Sequence, residues 1–388
     1  MWAAVQDVLE RARALSAEYH DEVRRLTPDG AEIFDAHVHV GRDIDGFVGS
    51  YDELMSFLRR YGVAHAFAFC MDEPDRRPAF RAPNDRTLAA AERSDGVLVP
   101  FVRLDLGEEP VEEAKRCLDR GARGIKLHPR AQRFLLNDER LAPIFALAAE
   151  RRVPILIHGG RGLPRIADHL ERLVDTYPEA QLIIAHGGIA DLAALSEAFG
   201  GRAGVFVDTS VWSAVDLLDV FSRFSPEQVL YASDYPYGQQ PTSLLITLRT
   251  ARAAGYGDEQ LRDLLGRSAT RIRNGEPPRP PAAPKRIETL EQPLSFARIH
   301  HYLTMATPLL WTRQEADSIG VLGLALNACA ERDGHVEARE RIAALVACAR
   351  DLWRTSAEAD DDGERMELGR LTFQLIHIAD IVAVTSHA

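Results

Sequence analysis

Two histidines separated by a single residue, in Asp35-Ala36-His37-Val38-His39, point their imidazoles to one face if the segment is an extended strand. His128, His158 and His186 close three further apolar runs, GIKLHP, VPILIHGG and QLIIAHGG, and Asp234 closes another, VLYASDYP. Neutral imidazoles together with a carboxylate are the donors that zinc and similar divalent ions take, and a catalytic ion keeps a position open for water. Any one of these histidines alone reads as a hydrogen-bonded core or surface residue. Their shared placement at the ends of separate apolar runs makes His37, His39, His158, His186 and Asp234 candidates for one metal cage.

Other residues of these segments carry weaker signals. Lys126 and His128 share a strand face in GIKLHP, which turns both inward. Arg42, Arg130 and Arg161 each directly follow one of the motifs, in loops expected to rim the site, where a guanidinium can clamp a substrate carboxylate. The chain has only three lysines among its 46 basic residues, so an arginine on its own marks little and each of the three also reads as a solvated charge. Cys70 ends an apolar run with no base nearby to activate it and reads as a packing residue.

These residues need a scaffold that brings many strand ends together. From residue 33 the sequence alternates eight apolar runs (IFDAHVHV, AHAFAFC, VLVPFVRL, GIKLHP, VPILIHGG, QLIIAHGG, GVFVDTS, VLYASDYP) with amphipathic stretches. Continuous Val/Ile/Leu runs predict parallel strands buried on both faces. Eight β-then-α units of this length predict a (β/α)8 TIM barrel, an α/β fold whose active sites lie at the C-terminal ends of the strands. Ser50 and Glu53 predict a capping box before a helix that stops at Gly62, and helices are expected over 138–152 and 164–177.

The expected organisation is an N-terminal helix over 1–29, the barrel over 30–275, a proline-rich linker over 276–289 and an all-helical C-terminal domain over 290–388. The last contains three or four helical stretches, one opening with the capping pair Thr312 and Glu315. No catalytic motif appears in it.

A formal charge of -12 without a basic stripe argues against nucleic acid and anionic membrane as partners. Four widely spaced cysteines without a CxxC pair fit free thiols in a reducing compartment. The acidic, helical N-terminus is no signal peptide and no run of some 18 apolar residues is seen, so the cytoplasm is expected. The expected partner is a small-molecule substrate, with a homodimer as the candidate assembly.

Taken in order, the HxH of His37 and His39, GIKLHP, LIHGG, IAHGG and ASDYP resemble the amidohydrolase superfamily over about residues 30–275. The resemblance is to the branch that includes aminocarboxymuconate semialdehyde decarboxylase, resorcylate decarboxylases and many metal-dependent hydrolases. It implies one divalent metal, zinc or else manganese, on His37, His39, His158 and Asp234. His186 then stands beside the open position to polarise substrate or shuttle a proton, and Asp234 doubles as proton acceptor. Some relatives bridge two metals with a carboxylated lysine, which leaves Lys126 either a ligand of a binuclear site or a substrate-anchoring charge, with His128 a substrate contact. The expected activity is hydrolysis of an amide, ester or lactone in a small, carboxylate-bearing molecule by metal-activated water. Two alternatives stay open: non-oxidative decarboxylation of an aromatic or enoic acid, and a non-catalytic barrel carrying a helical binding module.

Overall fold

A computed structural model describes residues 2–238, 241–285, 292–312, 314–331, 334–359 and 361–386. Its strands are β1 (Ile33–Arg42), β2 (Val48–Gly49), β3 (Val63–Cys70), β4 (Leu98–Arg103), β5 (Gly124–Leu127), β6 (Ile155–Ile157), β7 (Leu182–Ile184), β8 (Val205–Asp208) and β9 (Val229–Leu230). They form one sheet in the order β2-β1-β3-β4-β5-β6-β7-β8-β9. All pairings are parallel except the short β2, which lies antiparallel on the end of β1.

The sheet closes through the segment after β9. Tyr231 O accepts from Ala36 N at 2.8 Å, His37 O from Asp234 N at 2.9 Å, and Tyr235 O from His39 N at 2.7 Å. The eight apolar runs of the sequence are therefore the eight parallel strands of a TIM barrel. They lack polar alternation because both faces are buried. One face meets the surrounding helices in a large core. The other fills the lumen with a separate cluster that includes Phe34, Phe67, Phe101, Leu156, Ile183 and Phe206. Gly124 belongs to this arrangement, since a Cβ there would come 2.5 Å from the Phe101 ring.

One irregularity decides where the site lies. Phe34 and Ala36 belong to the lumen cluster, so strict alternation would carry Val38 into the lumen as well. The register of β1 against β3 shifts between Asp35 and Val38. Val38 and Val40 consequently join the outer core, and His37 and His39 turn inward together.

The helix Tyr51–Arg60 starts at Ser50, whose side chain accepts from Glu53 N, and Gly62 follows its end at φ 67°. The capping box is half made: Glu53 turns its carboxylate to Tyr235 Oη at 3.0 Å. Helices Leu141–Arg151 and Ala167–Thr176 occupy the other two expected stretches.

An N-terminal helix, Trp2–Leu26, precedes the barrel, and four helices follow it: Leu294–Trp311, Glu315–Cys329, Val336–Glu358 and Asp362–Thr385. Thr312 does not cap the second of these. Gln314 precedes that helix, and Thr312 Oγ1 bonds back to Pro308 O at 2.9 Å, closing the helix before it. The Glu315 side chain, like linker residues 286–289, lies outside the described residues.

The barrel helix Thr242–Ala253 is buried nearly all round because it packs between the barrel helix Ala214–Arg223, the N-terminal helix and this terminal layer. Asp362–Thr385 packs against it. By length and composition Asp362–Thr385 is apolar enough to cross a bilayer, with mean hydropathy 1.3, a property that the contiguous-run reading did not register. Of that stretch 67% is buried inside the chain, so its apolar surface faces the core.

Candidate metal centre

Three donors converge at the C-terminal mouth of the barrel. His37 Nε2 and His39 Nε2 are 3.2 Å apart, and Asp234 Oδ1 is 3.2 Å from each. All three residues are buried. Burial, reinforced by the Lys126 charge, holds His37 well below the usual histidine range. Burial lowers His39 too, so both rings are neutral. Burial alone would raise Asp234, but the neighbouring His37, His39 and His186 outweigh it and leave the carboxyl at about 2, an anion.

Hydrogen bonding assigns the proton on His37. Its Nδ1 lies 2.8 Å from Asp208 Oδ2, which can only accept, so Nδ1 carries the hydrogen and Nε2 is a bare lone pair. That lone pair faces a carboxylate oxygen with no proton between them, an arrangement that is repulsive unless a cation fills it. Ligands about 2.0–2.1 Å from a tetrahedral zinc stand roughly 3.4 Å from one another, close to the spacing here. The donor set therefore fits a divalent ion. A buried carboxylate behind a ligating histidine is also the usual device for fixing its tautomer.

Asp208 holds a second histidine. Its Oδ1 accepts from His186 N at 2.8 Å and from Ser210 Oγ at 2.5 Å. The His186 ring in turn donates from Nδ1 to Ser210 O at 3.0 Å. His186 Nε2 is then an acceptor and takes the Nδ1 hydrogen of His158 at 2.9 Å. This leaves His158 Nε2 buried with no partner, a lone pair available to a ligand. Burial, with His186 nearby, pushes His158 down to about 2. Gly160 makes room for the pair, since a Cβ there would lie 2.9 Å from His186 Cδ2.

His186 and Asp234 both have left-handed backbones, φ 58° and 59°. That conformation costs a non-glycine residue roughly 1–2 kcal/mol. The hydrogen bonds from His186 N to Asp208 and from Asp234 N to His37 O offset it. In the next strand position alternation would aim His186 away from the lumen; the left-handed turn brings its ring to 5.2 Å from that of His37.

The three-donor cluster does not include His158, which the structure places against His186 and in a stack on His128 at 4.0 Å. His128 Nδ1 caps the short helix Pro129–Gln132 by accepting from Ala131 N at 3.2 Å, which ties up that nitrogen. Lys126 is fully buried, its Nζ 3.3 Å from His37 Nε2 and 4.4 Å from the Phe69 ring centre. Burial lowers its pKa to about 7. Arg42 and Arg130 are exposed, and Arg161 is exposed and paired with Asp216 at 3.5 Å.

Two residues of the mouth were missed, Asp208 and Arg103. Both close strands already recognised as apolar runs, in GVFVDTS and VLVPFVRL, so reading every strand end for charge would have found them.

A parallel barrel with two strand-borne histidines and an aspartate gathered at its mouth defines a class, the metal-dependent TIM-barrel enzymes. Residues 34–272 match the family model described as Amidohydrolase, and the chain belongs to that family. Three solved structures are similar to it. A 5-carboxyvanillate decarboxylase from Sphingomonas paucimobilis is 14% identical with TM-score 0.47, the match covering 63% of this chain and 99% of that one. A 4-oxalomesaconate hydratase from Rhodopseudomonas palustris is 17% identical with TM-score 0.47, over 63% and 96%. A probable 2-pyrone-4,6-dicarboxylic acid hydrolase from Acinetobacter baumannii, with citric acid bound, is 12% identical with TM-score 0.48, over 63% and 99%. No curated protein matches the chain. The C-terminal helices fall outside the family match.

Proposed function

We propose that this enzyme hydrolyses an amide, ester or lactone with one divalent ion, zinc in preference to manganese, held by His37, His39 and Asp234 and completed by His158. The observation that carries the reading is the triangle of donors 3.2 Å apart, with the lone pair of His37 Nε2 turned to the Asp234 carboxylate. The unpartnered His158 Nε2 supports a fourth donor. A divalent ion in this place supplies Lewis acidity and lowers the pKa of water towards about 7.

The chain's own groups do the rest. Asp234, anionic and lodged between the two rings, is the acceptor for the proton of the attacking water. His186 keeps its Nδ1 hydrogen on Ser210, and its Nε2, which accepts from His158 at 2.9 Å, is the atom that would take up or return a proton beside the ion. Asp208 fixes both histidines and touches neither reactant. Lys126, beside the one donor cluster found among the described residues, is read as a positioning charge and not as a bridge between two ions. Four unpaired, buried cysteines support a reducing compartment and hence the cytoplasm.

Two measurements test this. Elemental analysis of the native chain should give about one ion per chain, and His37→Ala with His39→Ala should abolish it; two ions would move Lys126 into the ligand set, and none after reloading would overturn the reading. Incubating the loaded enzyme with a metabolite extract should yield products whose masses together exceed the substrate's by one water, whereas loss of carbon dioxide would assign the alternative, decarboxylation.

A further inference from the structure

Among the described residues Arg103 is the largest fully buried side chain, 2% exposed. It closes β4 on the lumen side, because Val99 and Phe101, four and two residues before it, belong to the lumen cluster. In register it pairs with Lys126, whose ammonium touches His37. Its charge is felt at His39, Lys126, His128 and Tyr237, so it stands among the groups of the mouth.

Its own needs are only partly met. Nη1 donates to Cys70 O at 3.3 Å, and the guanidinium lies over Phe80 at 5.1 Å. Nε and Nη2 are buried and have no hydrogen-bond partner. Asp72, an acid that responds to the Arg103 charge, forms its ion pair with Arg76, at 3.0 Å. The two idle atoms are the pair that makes up the side-on fork of a guanidinium, whose parallel N–H groups match the two oxygens of a carboxylate. A buried cation with its fork unpaired is costly to a fold, and a ligand that completes it recovers that cost. The rim arginines Arg42, Arg130 and Arg161 are exposed and lack this property.

Resting on the metal-centre reading above, we propose that Arg103 is the specificity-determining residue of the site, and that it grips a substrate carboxylate set apart from the bond being broken. The substrate is then an acid whose reacting carbonyl and carboxylate are spanned by the gap between the ion and β4.

The test uses full-length, zinc-loaded protein and hydroxamates, whose head group binds the ion. Calorimetry compares the monohydroxamates of malonic, succinic, glutaric and adipic acids with the same molecules carrying a primary amide in place of the carboxylate, and with tailless acetohydroxamate. At one tail length the carboxylate should bind about tenfold or more tighter than the amide, the scale of a charge-assisted fork. Arg103→Met should erase that preference and Arg103→Lys retain part of it. Acetohydroxamate still binding to both variants shows that fold and ion survive. No preference at any length in the native chain, or a preference undiminished in Arg103→Met, overturns the proposal. Failure of acetohydroxamate to bind the native chain is a different result: it overturns the metal centre, and the carboxylate grip with it.

Discussion

The barrel mouth and the C-terminal helices bury different things. At the mouth Asp35, His37, His39, Lys126, Asp208 and Asp234 are all buried within a few residues of strand ends. The helix Asp362–Thr385 instead buries Leu368, Leu375, Ile376, Ile378, Ile381 and Val384. Hydrocarbon needs only a neighbour of suitable volume, whereas each buried polar atom needs a particular partner at a particular angle. In the mouth His39 Nδ1, His158 Nε2 and Arg103 Nε and Nη2 are buried without a hydrogen-bond partner.

The comparison is broken most severely in the helices. Ile378→Ala should cost about 2–5 kcal/mol of stability in chemical denaturation, the cost of a large-to-small change in a packed core. Metal affinity measured on the folded variant should stay native; a parallel loss would mean that the C-terminal layer shapes the site directly.

At the mouth the expected effect is smaller in energy and opposite in kind. Asp208→Asn should leave the fold standing and weaken metal affinity about 10–100-fold, the usual consequence of losing the carboxylate behind a ligating histidine. An unchanged affinity in a chelator competition would remove Asp208 from its role as organiser of His37 and His186.

The smallest effect is that of a single histidine, His300, and it shows as a difference of sign with pH. His37, His39, His128 and His158 are all lowered, primarily by burial, so the unfolded chain binds protons that the folded one refuses. Their contribution to stability is complete above the unfolded histidine value of about 6.5 and falls as pH drops below it towards the depressed folded values. His300, in the C-terminal layer, is raised by its hydrogen bond to Asp380 at 2.6 Å. Its contribution is complete below about 6.5 and is lost as pH rises through the raised folded value. Denaturation midpoints from pH 8 to 5 should therefore fall in the native chain, and fall further in His300→Asn, which lacks the compensating gain.

Much of this was legible in the chain itself. The eight strands could be read because burial on both faces leaves uninterrupted apolar runs, and the converging donors His37, His39 and Asp234 because a barrel gathers such groups at its strand ends. Ser50 announced its helix for a similarly local reason, the bond from Glu53 N. The fate of the Glu53 carboxylate was not local: Tyr235, 182 residues away, draws it off. Thr312 likewise closes one helix where its spacing suggested the start of another.

The sequence by itself determined the barrel, its family and the set of donor types, because periodicity and strand-end position are properties of neighbouring residues. Only the tertiary structure decided which donors meet. The shift in β1 turned His37 and His39 inward, and the left-handed backbone of His186 swung its ring over the mouth. Closure of the sheet brought Asp234 to His37, and β8 put Asp208 behind both histidines. Such contacts join residues far apart in the chain, and their angles are set by register and closure, which no local pattern encodes.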